Sequence, residues 1–290
     1  MIDLIFSILS CTAILVLFKS FERREIPIFH TIIINYVVAF GLGIAVNHGT
    51  GSLDLLTLFR EPWIGIAAGL GVGLIVMFFM IGLSTQRAGI MVTTVAGRIS
   101  VVIPMLFSIF YYGEPVTRIK VAGICLALAA LVCSVIRPVD NKKTDPSSWY
   151  LPLVLFIGLG VLDTLVKFVQ HEYVSDAASA AFTGASFFFA FCAGGLICLV
   201  RKEPFSGFVV PRVAVAGILL GTVNFGSIYF LINALNSGIF DSAVLFAVNS
   251  ISIVALSVFC GTILFRERLS MLNLAGVIMA GSAIILFVQA

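Results

Sequence analysis

Apolar residues fill this chain in long runs, and charges and prolines interrupt them at short intervals. Breaking the sequence at those interruptions predicts ten helical segments, approximately 2–20, 27–47, 62–84, 88–112, 115–137, 150–170, 177–200, 211–235, 238–264 and 269–289. A helix rises about 1.5 Å per residue, so about 20 apolar residues cross a hydrocarbon core of about 30 Å. The runs lack the two-residue alternation of a barrel strand, so a helix bundle is the architecture expected to satisfy its own backbone in lipid. Met1 to Phe18 has neither the basic start nor the small-residue cleavage site of a signal peptide, and it is read as the first span. Pro27, Pro62, Pro115, Pro152 and Pro211 are placed in the first turns of spans, where a missing N–H costs nothing.

Only Pro104 falls inside a span, in the stretch Ala88 to Tyr112. It leaves the carbonyl of Ser100 without its helical donor, so the sequence predicts a bend there. Arg98 lies beside that bend, near the membrane midplane. A permanent cation at that depth costs at least ~2.5–3.5 kcal/mol on insertion scales, and it must face something polar.

The two halves of the chain repeat. Gly73 and Gly226, Ser84 and Ser237, Val101 and Val254, Glu114 and Glu267, and Ala122-Gly123 and Ala275-Gly276 are each 153 positions apart. Both halves carry a Glu followed after seven residues by Ala-Gly. The longest polar segment, PVDNKKTDPSS, separates the halves and is rich in turn formers. The domains expected are therefore a first five-helix repeat over 1–137, a polar connection over 138–149, and a second five-helix repeat over 150–290. An odd number of spans makes the second half enter the membrane from the opposite side. The fold class expected is an all-α integral membrane protein of ten transmembrane helices in two inverted five-helix repeats, an arrangement common in secondary transporters.

With ten spans in five-plus-five form, GEPVT (Gly113 to Thr117) followed by VAGICLAL, and RERLS (Arg266 to Ser270) followed by LAGVIMAGS, the chain resembles the EamA-type branch of the drug/metabolite transporter superfamily over essentially its whole length. The resemblance implies a small-metabolite or amino-acid exporter with a cavity shared by both halves. It implies cytoplasmic termini as well.

Composition narrows the picture. The chain is 60% hydrophobic and 11% charged, where soluble domains are about 25% charged. A net charge of +3 carries no nucleic-acid signal. With Arg98 and Lys167 taken as embedded, twelve Lys and Arg residues lie in the loops after odd-numbered spans, and only Arg60, Arg118 and Lys120 lie on the other face. That bias puts both termini outside, against the precedent of the resemblance; the charge count is preferred here. The expected setting is a bacterial inner membrane, crossed many times. The six cysteines lie in apolar spans with no CxxC pair, so no disulfide framework or metal site is expected.

The candidate substrate-binding residues are those whose polarity is out of place in a span: Arg98 and Asp163, with Asn35, Tyr36, Asn224, Tyr229 and Asn249. Asp163 either lines a cavity opposite Arg98 or is neutralised by Lys167, four residues on and on the same helical face, with Lys167 snorkelling to the interface. Arg98 either meets substrate or clamps carbonyls freed near Pro104. The amides serve interhelical hydrogen bonding as readily as ligand binding. Glu114, directly before Pro115, is read as an anion at a helix N-terminus. Enzyme readings fail on inventory. His30, His48 and His171 sit near span ends, His171-Glu172 lacks the second His of a zinc motif, and no Gly-Lys of a phosphate-binding loop occurs. No catalytic residue, cofactor or metal is expected. The partners expected are a small-molecule substrate and the lipid bilayer, with proton or ion coupling left open, no nucleic acid, and a monomer or homodimer. The function expected is a secondary transporter, driven by gradients rather than ATP; the alternative is an intramembrane enzyme acting on a lipid or small metabolite.

Overall fold

The computed structural model describes residues 1–50, 58–87, 90–135, 150–202, 204, 206–265 and 271–288. The polar connection 138–149 and the RERLS stretch with Glu267 lie outside the described residues. The apolar runs become helices: α1 (Ile2–Arg23), α2 (Ile28–Thr50), α3 (Ile64–Arg87), α4 (Ile90–Ile99), α5 (Val102–Tyr112), α6 (Arg118–Val135), α7 (Tyr150–Glu172), α8 (Asp176–Arg201), the short α9 (Ser206–Val209), α10 (Pro211–Asn236), α11 (Ser242–Phe265) and α12 (Met271–Val288), with one 3-10 turn at Leu58–Arg60. Among the described residues there is no strand. Seven helices there (α1, α2, α3, α7, α8, α10 and α11) are long and apolar enough to cross a membrane, which fits a multi-pass membrane protein. Large apolar side chains stay exposed on the helices, among them Phe110 at 81% and Leu199 at 77%, as lipid-facing surfaces require.

Over the described residues 90–112 the helical path is interrupted at Ser100 and Val101, between α4 and α5. Pro104 supplies no N–H to Ser100 O, so that carbonyl accepts Ile103 N–H at 3.0 Å instead, and Ser100 Oγ donates to Gly97 O at 2.7 Å. The tighter bond winds the chain into a turn at the place where the bend was expected. The prolines divide too. Pro211 opens α10, Pro27 stands just before α2, and Pro152 lies in the first turn of α7. Pro115, however, lies in the non-helical stretch Gly113–Thr117. Gly113, with φ +65°, ends α5 in the left-handed conformation that glycine adopts freely. Thr117 then caps α6, its Oγ1 accepting Lys120 N–H at 3.0 Å.

The helices form two compact units, each drawn from both ends of the chain: Met1–Ile75 with Leu165–Ser237, and Val76–Thr164 with Gly238–Ala290. Each unit therefore takes helices from both sequence halves. In the first, α2 packs between α8 and α10, and α10 also packs along α1. Small residues let these backbones meet. A Cβ on Gly43 would collide with Gly184 Cα across the α2–α8 contact, and one on Gly221 would come within 2.7 Å of Asn35 O across the α2–α10 contact. Without a hydrophobic drive between helices in lipid, this close fit supplies much of the association energy.

In the second unit α6 pairs with α12, and α11 packs on α5, α6 and α12. An ion cluster ties the start of α11 to the segment before α6. Glu114 does serve a helix N-terminus, but that of α11 rather than of the helix that follows it in sequence. Its Oε1 accepts Ser242 N–H at 2.8 Å and its Oε2 accepts Ala243 N–H at 3.1 Å. Lys120, 2% exposed, donates to Glu114 Oε2 at 3.3 Å, Asp241 Oδ2 at 2.8 Å and Pro115 O at 3.1 Å. All three protons of the ammonium are thus matched by acceptors.

Candidate functional site

The seven sequence-derived candidates fall into two groups, four in the first unit and three in the second. In the first, Asn35 and Tyr36 on α2 are 2% and 4% exposed. Asn224 Nδ2 on α10 donates to Asn35 Oδ1 at 3.1 Å. Gly217 and Gly221, on the face of α10 against α2, admit Ile34, Asn35 and Val38 so closely that a Cβ at either would clash. The two amides answer each other across that narrow contact.

The tyrosines do not join them. Tyr36 is one residue, about 100° of helix, away from Asn35, and its ring stacks on Phe187 of α8 with centroids 6.0 Å apart. Tyr229 stacks on Phe225 at 5.2 Å and meets Phe230 edge-on at 5.2 Å. Asn35 and Asn224 are therefore brought together, while Tyr36 and Tyr229 each belong to an aromatic group of their own.

In the second unit, Arg98 occupies the last turn of α4, half-buried, directly before the Ser100–Val101 turn. Helix α7 comes close at this point because two positions lack side chains. A Cβ on Gly97 would lie 3.2 Å from Leu159 Cδ1, and one on Gly160 would lie 2.7 Å from Ile103 Cβ. One turn past Gly160 on α7 stands Asp163, which interacts electrostatically with Arg98. Thr164 turns its hydroxyl back onto Gly160 O at 2.7 Å. Asn249, 7% exposed, stands on α11. The second group thus has a fixed cation at a helix break and a carboxylate under its influence, both set within apolar helices.

Lys167 departs from the expectation that it snorkels. It is 4% exposed, and its Nζ donates to Gln170 Oε1 at 2.8 Å. Gln170 Nε2 in turn donates to Asn236 Oδ1 at 2.7 Å. Sequence reasoning missed Gln170, Asn233 and Asn236, since each lies within a few residues of a helix end, where polar residues are ordinary. It missed the Glu114–Lys120–Asp241 cluster for a different reason: Lys120 and Asp241 are 121 residues apart, and no local pattern joins them.

No family model matches the chain. It is 29% identical over 287 residues to an uncharacterised protein of Haemophilus influenzae (strain ATCC 51907 / DSM 11121 / KW20 / Rd), a match covering 97% of this chain and 96% of that protein. It is similar to a protein of known crystal structure at a TM-score of 0.77, with 17% identity, over 98% of this chain and 94% of that one. This second likeness is one of fold along nearly the whole length of both chains.

Proposed function

We propose that the protein is a secondary transporter, an exporter of small polar metabolites such as amino acids or organic anions, of the EamA type within the drug/metabolite transporter superfamily. In this reading ten helices span a bacterial inner membrane: the seven long apolar ones, the α4–α5 pair counted as one, α6 and α12. Five fall before the polar connection and five after it, which gives two inverted repeats. The observation that carries the reading is Arg98. A permanent cation set beside a break in an apolar helix, with Asp163 in its field, costs too much to persist without a partner or a use. A cation and a carboxylate together suit a substrate with an anionic group and an amine or other donor, and Asn249 is a further candidate for its neutral part. Broken helices with half-helix ends are a recurrent way to build such sites in transporters.

The test is counterflow into proteoliposomes holding the purified protein, preloaded with one member of a metabolite panel and supplied with the same compound labelled outside. Accumulation of the unchanged compound without ATP supports the transporter reading. Recovery of the label as a different compound would favour an intramembrane enzyme acting on a lipid or small metabolite, and no accumulation for any amino acid or organic anion would remove the proposal.

A further inference from the structure

Four helix ends of the first unit meet at one level. Helices α1 and α10 run antiparallel: Ser7 Oγ donates to Ser227 O at 3.2 Å, and Phe6 stacks on Phe230 with centroids 5.1 Å apart. Arg23 lies as many residues after Ser7 as Pro211 lies before Ser227, so at equal rise the end of α1 stands beside the start of α10. Helix α2 runs parallel to α10, with Ile34 against Gly217 and Val38 against Gly221, and antiparallel to α8, with Ile33 against Gly194 and Gly43 against Gly184. The start of α2 and the end of α8 therefore join the same level. There the Arg201 guanidinium lies over the Phe29 ring, 5.9 Å from its centroid. The short α9 packs on the first turn of α2, where Phe208 meets His30 edge-on with centroids 4.7 Å apart.

This convergence gathers charge. Arg23 and Arg24 end α1, Arg201 and Lys202 end α8, and Arg212 stands in the first turn of α10, all five exposed. Among the described residues of these four helix ends the acidic ones are Glu22 and Glu25. Arg23 and Arg201 lie at helix C-termini, where the macrodipole favours a cation in any case. Arg212 lies at an N-terminus, where the dipole opposes one, so its placement calls for an anion. An apolar stripe leads up to the basic end: Leu196, Leu199 and Val200 share one face of α8 and are exposed just before Arg201, as are Val209 and Val210 just before Pro211. A soluble anion has no use for that stripe. The acyl chains of a lipid do.

We infer that this end of the first unit binds an anionic phospholipid, with its phosphate on Arg201, Lys202 and Arg212 and its acyl chains along the exposed face of α8. Arg23 and Arg24 add to the field. Basic clusters between spanning helices suit such headgroups. The inference rests on the chain lying in a membrane and owes nothing to the transport reading.

The test needs no transport measurement, so the two proposals fail separately. The purified full chain in detergent is titrated with phosphatidylglycerol, with phosphatidylcholine of the same acyl chains, and with glycerol 3-phosphate, and native mass spectrometry reads what is retained. A basic residue close to an anionic headgroup contributes about fivefold in affinity, so three give a preference for phosphatidylglycerol over phosphatidylcholine of about a hundredfold. Arg201→Gln/Lys202→Gln/Arg212→Gln should lose that preference and still bind phosphatidylcholine. Arg212→Gln alone should lose about fivefold, which keeps the inference exposed to refutation should the triple variant fold poorly. Arg60→Gln/Arg118→Gln, which removes exposed charges elsewhere, should bind as the unaltered protein does. Equal binding of the two lipids, an unchanged preference in the triple variant or in Arg212→Gln, or an equal loss in Arg60→Gln/Arg118→Gln overturns the inference. Glycerol 3-phosphate bound as tightly as phosphatidylglycerol would make this a site for free phosphate esters and overturn it too.

Discussion

Replacing Glu114 by alanine should cost far more than its place in a loop suggests. The side chain is 12% exposed and accepts two backbone N–H bonds from the first turn of α11 together with one from Lys120. A hydrogen bond to a charged group contributes about 1.5–3 kcal/mol, and loss of an N-terminal cap alone costs about 0.5–2 kcal/mol. Lys120 would keep Asp241 and Pro115 O, which limits the damage to the ammonium. About 3 kcal/mol is therefore expected. Asp241→Asn is the control. Its side chain is 43% exposed, its amide oxygen can still accept from Lys120, and a screened pair of this kind contributes less than about 1 kcal/mol. Reversible unfolding in an SDS titration reads the free energies. In a thermal scan, at about 2–4 °C per kcal/mol for a chain somewhat smaller than this one, Glu114→Ala should melt about 6–12 °C lower. Hydrogen exchange should quicken at Ser242 and Ala243 in Glu114→Ala alone. If Glu114→Ala unfolds within about 0.5 kcal/mol of the unaltered protein, a threshold near the error of such comparisons, or if Asp241→Asn costs as much, the cap assigned to Glu114 is wrong.

Other outcomes follow from the same geometry. Arg98→Lys keeps the charge but not the planar two-donor fork that grips a carboxylate, so it should lose most counterflow activity while inserting normally, and Arg98→Ala should lose all of it; wild-type rates in well-folded Arg98→Ala would make Arg98 structural. Gly43→Ala forces α2 off α8 at Gly184 and should destabilise by about 1–3 kcal/mol, whereas Gly41→Ala, with nothing within 4 Å of the added carbon, should be close to neutral in the same SDS titration. The excess of basic residues in odd-numbered loops predicts that a reporter fused after Ala290 behaves as periplasmic; cytoplasmic behaviour would show that the charge count is outweighed.

What the sequence determined by itself is that the chain is helical, with several long apolar helices fit to cross a membrane, because in lipid a run of about 20 apolar residues has few other ways to satisfy its backbone. It also marked Arg98, Asp163 and the mid-span amides as out of place, since the cost of burying polar groups is a property of residue type and depth. The break after Arg98 was half legible. Pro104 announced a disturbance, but whether the helix would bend or separate depended on Ser100 O finding Ile103 N–H, a choice made by local geometry. Partnership was not legible at all. That Asn35 answers Asn224 across 189 residues, that Glu114 caps α11 rather than the helix beside it, and that Gln170 links Lys167 to Asn236 are consequences of which helix lies against which. Helical period tells which residues share a face. Only the packed helices decide what that face meets, and in this chain the glycines at 43, 160, 184 and 221 set how closely they meet it.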